Sequence, residues 1–385
     1  MARPTLNLFP VLLAAVWLGG AGLAATPAGA IETAAKQIIL IDDSTGTVLL
    51  ERNADERMAP ASMLKLMTVY LVFERLAEGS LELDETLPVS EKAWRTGGSK
   101  MFVRVNTRVA VEDLLRGIIV QSGNDACIVV AEALAGSEAA FAEEMNQRGQ
   151  AMGLQDSVFR NATGWPDPEQ HMTARDVARL AIRIIHDFPQ HYGYFKEKNF
   201  TYNEIRQGNR NPLLYKDVGA DGLKTGHTRE SGYGLVASAV RKGRRLILVV
   251  NGFESVNQRA REAERLFDWG FREFKTYEMF RAGETVVEAL TWLGDSATVP
   301  LVLEQDFALT LARKARRAMK ATVVYDGPIA APIVKGAEIA KLVVTAPETE
   351  TVEVPLVAGA DVGRLGTFKR LGAALSYLVW GAASQ

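Results

Sequence analysis

Cysteine is almost missing from this chain: Cys127 is the single one among 385 residues. No internal disulfide can form. Cys127 sits in the apolar run Ala126-Cys127-Ile128-Val129-Val130 and reads as a small buried hydrophobe. Histidine is sparse too, with four in all. No Cys/His cluster has metal-ligand spacing, which argues against a metal mechanism, and nothing calls for a cofactor. An excess of charge is also lacking. The 44 Lys and Arg nearly balance the 46 Asp and Glu, for a net charge of −2. No nucleic-acid partner is expected from that balance. Repeats, long charge runs and low-complexity tracts do not stand out.

What is present is ordinary globular material, 48% hydrophobic and 23% charged. The length favours two domains over one. The N-terminus reads as a secretory signal over residues 1–30. Arg3 supplies a positive start, Leu6 to Leu23 an apolar run, and Ala28-Gly29-Ala30 a small-residue cleavage site, with the mature chain starting near Ile31. The alternative is an uncleaved membrane anchor.

Three short motifs carry possible chemistry. In Pro60-Ala61-Ser62-Met63-Leu64-Lys65, proline reads as a helix start. Ser62 and Lys65 then share a helix face. A desolvated lysine is a suitable base for a serine nucleophile, and a helix N-terminus adds positive potential. Gln121-Ser122-Gly123-Asn124-Asp125 has turn composition between two helical runs, 111–120 and 126–135. There Ser122 is suited to proton relay, and Asn124 to a hydrogen bond with Lys65 or a substrate amide. Lys224-Thr225-Gly226 opens an antiparallel meander whose next strands are 233–240 and 245–252. Lys224 brings positive charge, Thr225 a hydroxyl, and Gly226 room for a ligand backbone. Taken singly, each motif equally fits a solvated ion pair, a helix connector capped by Asn124 or Asp125, or an edge-strand turn. Further along, 37–50 reads as strand, turn and strand. Thr173 reads as a helix N-cap after the loop 161–168, and 258–274 as a helix with Ala263, Leu266 and Phe267 on its core face.

The order Ser-x-x-Lys, Ser-x-Asn, Lys-Thr-Gly is the set shared by class A β-lactamases and penicillin-binding proteins. Residues 51–65, 121–127, 221–228 and 261–264 together resemble the low-molecular-mass penicillin-binding proteins, the serine-type D-alanyl-D-alanine carboxypeptidases. That resemblance implies an α/β transpeptidase/β-lactamase-like domain over 31–280, a five-stranded antiparallel sheet flanked by helices. It implies Ser62 as the acylated nucleophile, Lys65 as its base, and Ser122 and Asn124 on the facing wall. Lys224 and Thr225 would hold the substrate carboxylate, with Gly226 and His227 beside them and Arg261 as a supporting charge. Backbone N–H groups of Ser62 and His227 would form the oxyanion hole. The implied substrate is the peptidoglycan stem pentapeptide, with β-lactam antibiotics as covalent inhibitors. A DD-endopeptidase or weak β-lactamase on the same fold is one alternative, and a non-catalytic wall-binding scaffold another. The loop 161–171 lacks a Glu-x-x-Leu-Asn pattern, so fast antibiotic hydrolysis is not expected. Thr163 stands where some family members carry histidine.

After Arg281 the texture becomes short alternating runs with turns, the pattern of a small all-β sandwich over 281–362. Over 363–385, Leu365, Phe368, Leu371, Leu375 and Leu378 fall on one helical face. That tail reads as an amphipathic helix lying on a membrane surface, which predicts an exported protein held peripherally at the outer face of the inner membrane. Docking onto its own β domain is the alternative.

Overall fold

The computed structural model describes residues 31–347 and 349–366. The predicted signal segment and nearly all of the predicted amphipathic tail lie outside these residues.

Strands β1 (Gln37–Asp42) and β2 (Val48–Arg52) form the expected hairpin. Ser62 follows on a 3-10 turn, Ala61–Leu64, that feeds helix α1 (Lys65–Ala77). Every residue of α1 from Lys65 to Phe73 is buried. A helix apolar on nearly all sides belongs in the centre of a core, and α1 lies there. Strand β3 (Thr86–Pro88), α2 (Glu91–Arg95) and β4 (Arg108–Ala110) lead to α3 (Val111–Ile119), α4 (Asn124–Ala135) and α5 (Glu138–Ala151). Next comes α6 (Ala174–Asp187), whose N-cap Thr173 accepts the Asp176 N–H at 3.0 Å, as expected. The hairpin β5 (Asn199–Tyr202) and β6 (Ile205–Gly208) precedes the meander of β7 (Ala220–Thr228), β8 (Gly232–Arg241) and β9 (Arg244–Phe253). Helix α7 (Val256–Glu273) closes the α/β part, with Ser255 capping the Gln258 N–H at 3.1 Å.

The five-stranded sheet has the order β2-β1-β9-β8-β7, and every pairing is antiparallel. Strand alternation makes two cores. Ile39 and Ile41 of β1 and Ile247 and Val249 of β9 face α1 and α3 to α6. Ile38 and Leu40 of β1 and Leu246, Leu248 and Val250 of β9 face α7, where Ala263, Leu266 and Phe267 meet them. The sheet is therefore sandwiched, and β7 is an edge strand.

The remaining strands are β10 (Phe274–Phe280), β11 (Thr285–Trp292), β12 (Thr298–Val302), β13 (Phe307–Ala312), β14 (Lys320–Val324), β15 (Ile329–Ala330), β16 (Glu338–Thr345) and β17 (Val352–Ala358). β10 pairs with β13, and the other six form one sheet in the order β14-β16-β17-β12-β11-β15. They share a third core that includes Leu301, Leu311, Leu342 and Leu356. Among the described residues, no helix is long and apolar enough to cross a membrane.

Candidate active site

Three of the sequence motifs converge where the edge strand β7 faces the helical lobe. Lys65, the first residue of α1, is wholly buried, while Ser62 one turn earlier is only half-buried. Lys65 Nζ donates to Ser62 Oγ at 3.0 Å, to Asn124 Oδ1 at 2.8 Å and to the backbone carbonyl of Thr163. That geometry aims the amine at the hydroxyl. Burial pushes Lys65 down to about 8, and the Arg210 charge adds to the effect. A neutral amine at this spot is a base within reach of the Ser62 proton.

The second motif forms the facing wall. Ser122, buried and at φ +63°, accepts a hydrogen bond from Lys224 Nζ at 2.8 Å. Asn124 opens α4 with Gly123 as N-cap, so neither Asn124 nor Asp125 takes the capping role that turn composition allows. Asn124 Nδ2 instead donates to Gly97 O at 2.9 Å, and its Oδ1 meets Lys65. Buried Asp125 anchors the neighbouring segment by accepting the backbone N–H groups of Met101, Phe102 and Val103 at 2.8–3.2 Å.

The third motif lies in the middle of β7. Lys224 and Thr225 are buried, and Lys224 is pushed well below its usual value, first by burial and then by the Lys65 and Arg210 charges. A Cβ added at Gly226 would meet Pro60 O, Met63 and Ala61. Glycine there lets the Ser62 turn lie against the strand. His227 is exposed, with its ring stacked on Tyr233 at a centroid distance of 3.9 Å.

Arg261 requires a correction. It lies on the exposed face of α7. Two residues of helix turn the side chain by about 200°, and Arg259 takes the buried face instead. Arg259 lies over the Tyr233 ring at 5.8 Å and donates through Nη1 to Gly234 O at 3.3 Å. Its Nε has no partner in the described structure, and burial lowers it to about 10. The periodicity of Ala263, Leu266 and Phe267 already carried this signal, because Arg259 is one turn before Ala263 on the same stripe.

Two other contributors have weaker signals. Arg210 Nη1 donates to Ser99 Oγ at 2.5 Å and adds positive charge near both lysines, yet it sits in a loop without periodicity. Thr163 contributes its carbonyl, which any residue has. The Asn161 carboxamide holds that loop by accepting the N–H groups of Thr163, Gly164 and Trp165 at 2.8–3.1 Å. Together the groups comprise a hydroxyl, an adjacent base and a cationic wall, a set suited to acyl transfer from a substrate with a terminal carboxylate.

Comparison with known proteins agrees with that chemistry. Residues 23–255 match the family model described as D-alanyl-D-alanine carboxypeptidase. Residues 274–364 match the C-terminal domain of penicillin-binding protein 5. The chain is 39% identical over 343 residues to D-alanyl-D-alanine carboxypeptidase DacA of Haemophilus influenzae, covering 88% of this chain and 87% of that one. It is 39% identical over 345 residues to DacC of Escherichia coli, covering 88% and 86%. Among solved structures, penicillin binding protein 5 from Haemophilus influenzae superposes with a TM-score of 0.79 at 38% identity, over 87% of this chain and 99% of that one. Penicillin-binding protein D2 of Listeria monocytogenes in its ampicillin-bound form matches with a TM-score of 0.58 at 29% identity, over 63% and 99%. This chain belongs to the D-alanyl-D-alanine carboxypeptidase family of penicillin-binding proteins.

Proposed function

We propose that the chain removes the terminal D-alanine from peptidoglycan stem pentapeptides through an acyl-enzyme on Ser62. The observation that carries this reading is the 3.0 Å approach of Lys65 Nζ to Ser62 Oγ, with Lys65 wholly buried and lowered to about 8. Lys65 takes the hydroxyl proton as Ser62 Oγ attacks the carbonyl of the penultimate D-alanine. Backbone N–H groups of Ser62 and His227 receive the negative oxygen, and each such donor is worth about 2.7–4 kcal/mol in other serine enzymes. The C–N bond then breaks. The leaving amine takes a proton from Lys65, with Ser122 as relay, and D-alanine departs. Water attacks the ester, Lys65 receives its proton, and the C–O bond to Ser62 breaks as Oγ is reprotonated. Lys224, Thr225 and Arg259 receive the terminal carboxylate, which by its negative charge favours the protonated form of Lys224.

Incubation with a stem pentapeptide tests the reading. One equivalent of D-alanine and the tetrapeptide are expected, and Ser62→Ala should release none. Cleavage of cross-linked dimers in place of pentapeptide would favour an endopeptidase instead.

Penicillin is expected to acylate the same serine and leave slowly, since 161–171 offers no glutamate in a deacylating pattern. A catalytic domain over 31–280 whose last strand, β10, pairs with β13 of the β domain over 281–362, a cleaved segment 1–30 and a membrane-surface tail 363–385 complete the proposal. It places the enzyme outside the cytoplasm. Truncation after Val362 should release the protein from membranes on sedimentation, and unchanged co-sedimentation would contradict the anchor.

A further inference from the structure

Charge is balanced over the whole chain but not within the β-rich region. No carboxylate occurs between Asp306 and Asp326, and Arg313, Lys314, Arg316, Arg317 and Lys320 fall within eight residues there. Ala315, Ala318 and Met319 interrupt them, so they form no continuous run. The segment joins β13 to β14 through a 3-10 turn, Ala315–Ala318. All five cationic residues are exposed, while Ala315 is buried. Arg313 fixes the start of the segment at the end of α7, donating its backbone N–H to Glu273 O at 2.8 Å and its Nε to Arg272 O at 2.7 Å. The Tyr277 ring of β10 meets Arg316 at 5.2 Å and Lys275 at 5.4 Å, so Lys275 joins the patch. Nearby carboxylates do not neutralise it. Glu273 pairs with Arg272 at 2.8 Å, and strand alternation puts Glu278 on the Thr276 face of β10, opposite Tyr277. Lys314 is otherwise engaged, but Lys275, Arg313, Arg316, Arg317 and Lys320 have no ion pair among the described residues.

The surroundings of the patch select among anionic partners. Lys320 pairs with Thr345, and Val344 with Val352, so the patch lies at the Val352 end of β17. The chain leaves at the other end, past Ala358 to Val362, which pairs with Ile333. The six steps from Val352 to Ala358 span about 20 Å. That is more than twice the Debye length, about 8 Å at physiological salt, so a lipid surface at the exit end is screened from these charges. The exposed neighbours Ala318, Ala321 and Thr322 offer no large apolar side chain of the kind that anchors a protein interface. What fits is a solvated, extended chain with repeated carboxylates, which guanidinium groups grip by paired hydrogen bonds. We infer that this patch is a second, non-catalytic binding surface for peptidoglycan, held through the carboxylates of its stem peptides. It tethers the enzyme to the polymer while the active site works on a different stem. The identity of the polymer rests on the carboxypeptidase reading above.

Co-sedimentation of the full chain with purified peptidoglycan sacculi tests this, against sacculi whose carboxylates have been converted to methylamides. Wild type should bind the native sacculi at least about threefold more tightly, the scale of a few exposed ion pairs, and added salt should erase the difference. Arg316→Gln combined with Arg317→Gln and Lys320→Gln should weaken binding to native sacculi at least about threefold. Its kcat/KM on a soluble stem pentapeptide should stay within about twofold of wild type, since none of the three lies at the active site. Arg317→Gln with Lys320→Gln alone keeps the Tyr277 contact and serves where the triple variant does not fold. Equal wild-type affinity for native and amidated sacculi, or a smaller loss in the variants, overturns the tether. Vesicles of phosphatidylglycerol form a further arm, and a loss on vesicles with sacculus binding retained assigns the patch to lipid and overturns it too. Failure of wild type to release D-alanine from the soluble pentapeptide contradicts the carboxypeptidase reading, and sacculus binding is read independently of that release.

Discussion

Lys65 has to be neutral before it can take a proton from Ser62, and burial supplies most of that bias. With Lys65 losing its proton near 8 in the folded protein, against 10.5 for an unperturbed lysine, the rate of Ser62 acylation should climb about tenfold per pH unit below 8 and level off above it. Second-order acylation rates measured from pH 5 to 9 check this, and a flat profile would contradict Lys65 as base. The cationic wall gives a second residue-scale test. Arg259→Ala should lower kcat/KM for carboxylate-bearing peptides about 10- to 100-fold, the worth of a charge-assisted hydrogen bond, mainly through KM. Arg261→Ala, on the exposed face, should change it less than about twofold. Comparable losses in both variants would contradict the assignment. Much of this constellation was legible in the sequence, because Ser62, Lys65, Ser122, Asn124, Lys224 and Thr225 carry side chains whose chemistry their identities announce. Thr163 was not legible in the same way, since it contributes a carbonyl. The family resemblance points to Arg261, whereas the helical period of Ala263, Leu266 and Phe267 puts Arg259 on the buried face.

At the scale of elements, the site depends on a loop pressed against a turn. Gly164 has φ +76°, and a Cβ there would collide with the Ala61 carbonyl and crowd Ser62 N. Ala61 itself has φ +47°, an uncommon conformation for a residue with a side chain. The loop thus buttresses the peptide unit that supplies one proposed oxyanion donor. Gly164→Ala should cost about 1–2 kcal/mol from the left-handed backbone alone, and more from the clash. The rate of acylation by penicillin should drop about tenfold or more as Ser62 N–H shifts. Stopped-flow acylation together with thermal unfolding checks both effects, and a variant with unchanged rate and Tm would show that the loop only covers the turn. Helix and strand positions here followed from local pattern: the β1–β2 hairpin, the β8–β9 hairpin and the Thr173 cap all formed as expected. The 3-10 turn under Ser62 did not show in the sequence. It is set by contact with Gly164 and Gly226, which lie about 100 and 160 residues away along the chain.

At the scale of the molecule, one buried carboxylate joins the α/β part to the β-rich part. Asp42 at the end of β1 accepts from Arg244 Nε at 2.6 Å, Ser44 Oγ at 2.6 Å, and Thr276 and Thr310 Oγ1 at 3.1 Å. Thr276 lies on β10 and Thr310 on β13, so both meet a residue of the five-stranded sheet. Burial alone would raise the Asp42 carboxyl, but the hydrogen bonds from Ser44, Arg244 and Thr310 and the Arg244 charge outweigh it and hold it below 3.8. Its stabilising contribution is therefore complete above about pH 3.8 and is lost as pH falls through the lower folded value. Asp42→Ala strands the Arg244 charge and should cost about 3–5 kcal/mol in urea unfolding at neutral pH, while a loss under about 1 kcal/mol would deny the joint its importance. The β-rich region was foreseen from alternation, but this joint was not. Asp42 stands next to the turn residues Asp43 and Ser44, and its partners Arg244, Thr276 and Thr310 lie more than 200 residues away.

Every proposed step at this site starts from Ser62 as the acylated nucleophile. Mass spectrometry of the intact protein and its peptides after incubation with benzylpenicillin tests it most directly. One covalent adduct is expected, on the peptide containing Ser62, and none on Ser62→Ala. An adduct on another residue, or one that persists in Ser62→Ala, would contradict it.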